Sequence, residues 1–270
     1  MEDQRIKRGI AQIDVATYPE FSKYVVSLNG AYVFRGQACD WWELRPSLSH
    51  FFSESRNGVT PLDAYTLTKK FLASFRDGLC KCVDEVPFLG GCDPSKLDDM
   101  DLWAIGRHYQ LRTPILDWTD DAFVAAFFAF DQERREDEDR AYPWRAVWAA
   151  DSELINRKFQ SEFCNPTTRF TAVHFFHSQL EFPRIRKQRG LFSFGPALYA
   201  IEDRVQDAFQ NSTEAALIKI SIPDSEKTNF IHQLNIRNIS REGLLSESED
   251  STLTNLIGKC HRELTQVSPP

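Results

Sequence analysis

The stretch "TPILDWTDDAFVAAFFAFD", residues 113–131, joins two kinds of pattern without a break. "TPILDW" is short and reads as extended, whereas "TDDAFVAAFFAFD" opens on Thr119 and Asp120 as candidate caps and continues as a helix. "FVAAFFAF" is apolar on nearly every side, and a helix without a polar face is a buried one. A strand running straight into a buried helix points to helices packed on a sheet around one core.

Upstream of this stretch helices dominate. "TYPEFSKYVVSL" (17–28) has Thr17 as a cap, Pro19 in the first turn and apolar residues at 21, 24, 25 and 28, the spacing of one helical face. Asn29 and Gly30 end it, and "AYVFRG" begins a strand. "TPLDAYTLTKKFLASFRDGLCKCV" (60–83) and "DDMDLWAIGRHYQL" (98–111) read as two more helices. Downstream the pattern shifts to short strands, at "RAVWAA" (145–150), "LEFPRIR" (180–186), "GLFSFG" (190–195), "ALYAI" (197–201) and "ALIKISIP" (216–223). "DSEKTNFIHQLN" and "ESEDSTLTNLIGKCHREL" close the chain as capped helices. No internal repeat or low-complexity linker divides the sequence. The expectation is a single α+β domain over 1–270, with a helix-rich first half, a mixed or antiparallel sheet, a motif core over residues 31–222 and a C-terminal helical segment over 224–265.

Composition narrows the function classes. With 270 residues and 42% apolar content the chain can fill a substantial core. The longest wholly apolar run, "AFVAAFFAF", has nine residues, against roughly 20 for a membrane span. The charged start "MEDQRIKRGIAQID" lacks the apolar stretch of a secretory signal, so a cytoplasmic protein without a membrane partner is expected. Cys39, Cys80, Cys82, Cys92, Cys164 and Cys260 have neither zinc nor thioredoxin spacing, and "HFFH" (174–177) lacks the HExxH pattern, so no metal is expected. The net charge of −7 opposes a general affinity for nucleic acid, although a local basic patch can still bind phosphate. Nucleophile-elbow, P-loop and dinucleotide-fold glycine signatures are absent.

Three further stretches carry a resemblance. "FRGQACDWWELRPSLSH", "HYQLRTPILDWTDDAFVAAFFA" and "PRIRKQRGLFSF", spanning residues 34–194, resemble in order and content the FRG domain family, named for its Phe-Arg-Gly motif. Gln110, Pro114 and Ala122 depart from the family's usual residues, and Arg112 stands near a position where the family often has arginine. More distantly, the motif order resembles the ADP-ribosyltransferase superfamily: an aromatic-Arg-Gly strand, a strand ending in a hydroxyl residue that opens a helix, and a strand bearing Gln or Glu. That resemblance implies an enzyme using NAD as co-substrate, with no metal, to modify a macromolecular target, protein or nucleic acid, or to hydrolyse NAD. It also implies a toxin or phage-defence role. The alternative, a non-catalytic module that senses a nucleotide or nucleic acid, stays open.

On this resemblance the candidate catalytic residues are Arg35, His108, Asp117, Thr119 and Gln188, and the candidate NAD-binding residues are Arg35, Gly36, Gln37, Tyr109 and Trp118. Splitting the nicotinamide–ribose bond passes through an oxocarbenium-like sugar and needs an anion clamp for the pyrophosphate. The fork of Arg35 suits that clamp, though a lone arginine at a strand end is also an ordinary solvated residue. Gly36 lets a ligand approach the backbone. Asp117, on an apolar strand, requires a partner such as Arg35 or His108, or meets ribose hydroxyls, or belongs to simple capping with Thr119. His108 can bond a ribose hydroxyl or exchange a proton near neutral pH. Tyr109 and Trp118 either stack on a base or pack in the core. Arg184 and Arg186 would share a face of a strand, as a phosphate site or as charges shielding an edge. Gln188 suits a sugar hydroxyl. Glu181 and Glu202 flank the third motif, and nothing in the sequence selects either as a catalytic carboxylate.

Overall fold

The computed structural model describes residues 6–28, 32–55, 59–85, 93–134, 143–180, 183–245 and 251–266. Seven strands form one sheet: β1 (Ile10–Asp14), β2 (Tyr32–Gln37), β3 (Ile115–Thr119), β4 (Trp144–Asp151), β5 (His174–Phe176), β6 (Gly190–Phe194) and β7 (Leu217–Pro223). Their spatial order is β1-β7-β4-β2-β3-β6-β5. β1 pairs with β7 in parallel and the other neighbours are antiparallel, so the chain has the expected α+β class with a mixed sheet.

The sheet is split in the middle. β2 pairs with β4 continuously from Tyr32↔Asp151 to Gln37↔Ala146, and β3 pairs with β6 from Ile115↔Phe194 to Thr119↔Gly190. Between β2 and β3, however, the register holds only at Phe34↔Thr119. Beyond that point the two strands part.

Eleven helices of the described residues surround the sheet: α1 (Tyr18–Ser27), α2 (Ser47–Ser55), α3 (Pro61–Cys82), α4 (Asp99–His108), α5 (Ala122–Asp131), α6 (Ser152–Cys164), α7 (Pro183–Lys187), α8 (Ile201–Ala208), α9 (Lys227–Ile236), α10 (Arg241–Leu245) and α11 (Ser251–Gln266). Because successive strand residues point to opposite faces, Val147 and Ala149 join one cluster with α1, α5 and α9, while Ala146, Trp148 and Ala150 join another with α6 and α8. A third cluster, under α2, α3, α4 and α11, covers Ile115 of β3 and Phe192 and Phe194 of β6.

The apolar composition of α5 is matched by its place. Val124, Ala125, Ala126, Phe127, Ala129 and Phe130 are all buried. The helix lies so close to β2 that a Cβ on Gly36 would stand 1.9 Å from the Ala125 carbonyl oxygen and 2.6 Å from the Ala129 nitrogen. Its cap is Asp121, not Thr119 or Asp120: the Asp121 carboxylate accepts from the Phe123 and Val124 N–H groups. Thr119 still belongs to β3, and Asp120 is turned toward Arg189, at 2.6 Å.

Two expected strands are not strands. In "LEFPRIR", residues 183–187 form α7, with Pro183 at its start where a missing N–H costs nothing; residues 181 and 182 lie outside the described residues. Arg184 and Arg186 therefore share a helical turn instead of a strand face. In "ALYAI" the backbone bonds leave the sheet. Ala197 N–H donates to the Phe170 carbonyl, the Leu198 carbonyl accepts from Arg45, and Ile201 N–H donates to the Leu44 carbonyl as α8 begins. The Asn29–Gly30 helix stop and residues 135–140 of the charged run also lie outside the described residues. No helix of the described residues is long and apolar enough to cross a membrane.

Candidate functional site

Where β2 and β3 part, two strand edges lose their ladder partners, and buried backbone groups without partners are unfavourable. Arg35 fills the gap. Its Nη1 donates to the Asp117 carbonyl oxygen at 2.7 Å, spanning the split from side chain to backbone. The Asp117 carboxylate is gripped by Arg107, from the last turn of α4, whose Nε donates to Oδ2 at 2.8 Å and whose Nη2 lies 2.6 Å from the same oxygen. Arg35 Nη1 is 3.9 Å from that oxygen as well. One carboxylate thus serves two guanidinium groups, and Arg35 Nε is buried with no partner among the described residues.

The electrostatics follow from this sharing. Burial pushes the Arg35 guanidinium down to about 10, with Asp117 opposing and Arg107 adding to the fall, so it stays charged at neutral pH. The attraction of Asp117 raises Arg107 despite its burial. Burial alone would raise Asp117, but Arg107, then Arg35 and Arg184, outweigh it and hold the carboxyl below its usual range. Because 46% of the Asp117 side chain is exposed, solvent screens these pairs, which act here more as positioning than as stability.

Around this pair opens a cleft of about 840 Å³, within the range of small-molecule sites. Arg112 lines it with its guanidinium 5.0 Å above the Phe51 ring, and the Arg112 N–H donates to His261 Nε2 of α11 at 3.0 Å. Arg184 of α7 lines it without a side-chain hydrogen bond among the described residues. Arg241 of α10 reaches Asp131 at 3.1 Å across the rim. Five arginines, Arg35, Arg107, Arg112, Arg184 and Arg241, face three carboxylates, Asp117, Asp131 and Glu133. In a chain of net charge −7 this is a local reversal of sign.

Arg35, His108, Asp117, Thr119 and Gln188 all line this cleft, together with Gly36 and Trp118. Their roles differ. Thr119 Oγ1 donates to the Gln188 carbonyl at 2.7 Å and accepts from the Asp121 N–H at 3.1 Å. Gln188 stands in the turn before β6, not on the strand, and its Nε2 donates to the Leu244 carbonyl at 3.0 Å. Trp118 is 3% exposed, donates to Ser193 Oγ at 2.8 Å and meets Phe175 edge-on, so its ring is largely core. At Gly36 the close neighbour of the backbone is α5, which accounts for the glycine through packing.

Gln37 and Tyr109 lie elsewhere. Gln37 sits in the continuous β2–β4 ladder, donating to the Glu43 carbonyl at 3.1 Å and accepting from Trp148 Nε1 at 2.8 Å. Tyr109 packs on the helical core beside His108, ring centroids 4.8 Å apart. Glu202 is also outside the cleft lining. Its carboxylate accepts from the Leu44 N–H at 3.0 Å, and burial pushes it up to about 7. Glu181 falls outside the described residues. Sequence reading passed over Arg107, Asp131, Glu133 and Arg241. Arg107 carried a signal, since it immediately precedes His108, but a basic residue in a last helical turn reads as a dipole partner. Among the described residues no group of three or more His, Cys, Asp or Glu could hold a metal ion.

Most of the cleft comes from one continuous region, and that region matches a family model over residues 30–138, the FRG domain. Residues 30–138 of the chain are therefore similar to an FRG domain. No curated protein and no solved structure matches it. The FRG match takes in β2, α4, β3 and α5, and hence Arg35, Arg107, Arg112 and Asp117; Arg184, Gln188 and Arg241, from beyond the match, close the cleft.

Proposed function

We propose that the FRG cleft binds a nucleotide through its pyrophosphate, that this nucleotide is NAD, and that the protein transfers ADP-ribose to a macromolecule or to water. The observation that carries the reading is the sharing of Asp117 by Arg35 and Arg107. With Arg184 and Arg112 added, the floor of the cleft is cationic, and a diphosphate is the ligand whose charge and spacing answer such a set of forks. The order of the motif strands supports the ADP-ribosyltransferase side of the proposal: β2 with Arg35, β3 with Thr119 and β6 after Gln188 are neighbours in the sheet. A reducing cytoplasm suits the free cysteines and completes the proposal.

The second reading, a nucleotide sensor without chemistry, is favoured by one observation. Gln188 stands at the third motif with one amide N–H donating to the Leu244 carbonyl, so this position supplies no carboxylate. A thermal-shift titration with NAD on wild type and Arg184→Ala, with released nicotinamide measured in the same samples, separates the readings. Binding at a hundred times the dissociation constant stabilises the fold by roughly 2.7 kcal/mol. A shift that weakens in Arg184→Ala, with nicotinamide release, is the expected result. A shift without release makes the protein a sensor, and no shift from folded protein refutes NAD as ligand.

A further inference from the structure

We propose that Glu133 is the general base of this cleft, accepting the proton of the group that attacks the ribose; the assignment rests on the NAD reading above. Three carboxylates line the cleft, and two are committed. Asp117 is bound by Arg107 and neighboured by Arg35, and Asp131 is paired with Arg241. Glu133 is exposed to the cleft and makes no hydrogen bond or ion pair among the described residues. A carboxylate paired with a guanidinium group is a poor proton acceptor, which leaves Glu133 of the three.

The backbone around Glu133 is fixed by unusual means. Arg145, 1% exposed, donates through Nη1 to the Ala129 carbonyl at 2.5 Å and to the Gln132 carbonyl at 3.1 Å. Arg134, its side chain fully buried, donates to the Ala38 carbonyl at 2.5 Å and the Trp144 carbonyl at 2.9 Å. Asp224 pairs with Arg145 and stands 3.6 Å from Arg134. Two buried arginines are an expensive way to end a helix, since burying charge is unfavourable unless every donor is used. Here they pin residues 132 and 134, on either side of an exposed glutamate that lines the cleft. Holding a reacting group from its backbone is how a site limits the motion of that group.

The step balances without a further reagent. The C1′–N bond of NAD breaks with its electron pair passing to the nicotinamide ring, which leaves neutral. C1′ gains a bond to the oxygen of water or of a target hydroxyl. The proton of that oxygen moves to Glu133 and then to solvent. Arg35 and Arg107, positioned by Asp117, hold the diphosphate end, and none of the three takes a proton.

The test compares wild type, Glu133→Gln and Glu133→Ala for NAD-dependent melting shift and nicotinamide release. Glu133→Gln should melt like wild type without ligand, keep the NAD shift and release nicotinamide at least about 100-fold more slowly; formate should restore part of the rate to Glu133→Ala. Release at the wild-type rate by Glu133→Gln overturns the role of Glu133 and leaves the NAD reading intact. Loss of the NAD shift in Glu133→Gln also overturns it, by making the residue a binding contact. A wild type that releases no nicotinamide refutes the NAD-consuming reading itself, and the assignment with it.

Discussion

Arg35 does two jobs that a lysine cannot combine: it replaces a missing strand-to-strand bond at the Asp117 carbonyl and keeps a guanidinium charge in the cleft. Its neighbours in the sequence motif do not all follow it there, because β2 stays zipped to β4 through Gln37, which meets Trp148. Adjacency in a motif is legible in a sequence; where a strand pair opens is not. Glu202 teaches the same at another position. It flanks the third motif and looks like a catalytic carboxylate, yet it is a partly buried acceptor for the Leu44 N–H. Its titration has a measurable consequence. Burial raises its folded-state value to about 7 from an ordinary 4.5, so the folded protein holds the proton more tightly than the unfolded chain. The stability Glu202 contributes is therefore present below pH 4.5 and lost as pH rises through about 7. His261 and His174, depressed by burial, act in the opposite direction, so the comparison must be made against Glu202→Gln. The denaturation midpoint of the wild type should fall relative to Glu202→Gln between pH 4.5 and 7; parallel profiles would show that the Glu202 carboxyl titrates normally.

Among the elements, α5 was the most legible and α7 the least, for a common reason. α5 is apolar on nearly every side up to its last residue, a property that survives any error in its ends, and it lies at the centre of its cluster as that property demands. α7 spans only five residues, too few for a helical period to declare itself, and the Arg-Ile-Arg alternation inside it imitates a strand. The cap of α5 fell one or two residues from its expected place because β3 keeps Thr119. What the sequence could not disclose is how closely α5 lies on β2. That contact makes the glycine of the Phe-Arg-Gly motif a packing requirement, with a clear outcome on substitution. A Cβ at residue 36 would meet backbone atoms of Ala125 and Ala129, which cannot rotate away as a side chain would. Gly36→Ala should lower the unfolding free energy by about 3 kcal/mol or more, the upper range for overpacking. Guanidinium denaturation reads it directly, and a loss under about 1 kcal/mol would mean that α5 shifts without resistance.

For the molecule as a whole, charge decides what the cleft can accept. The chain carries −7 overall, yet five arginines converge on about 840 Å³ where β2 and β3 separate. Those arginines come from β2, α4, the segment after α4, α7 and α10, so only the folded chain assembles them. On the proposed reading a small diphosphate would meet the forks inside the cleft, screened from the rest of the surface over about one Debye length, roughly 10 Å at 0.1 M salt. A long polyanion has no such shelter. Each phosphate beyond the cleft meets a surface whose balance is acidic, and duplex affinity depends on releasing counterions along a run of basic contacts. The wild-type protein should therefore bind NAD in thermal shift yet leave the anisotropy of a labelled 20-base-pair duplex unchanged at about 0.15 M salt. Duplex binding that NAD displaces would instead make a nucleic-acid end the ligand of the same arginines, because an end can enter the cleft with one or two phosphates while the rest of the duplex stays away from the acidic surface.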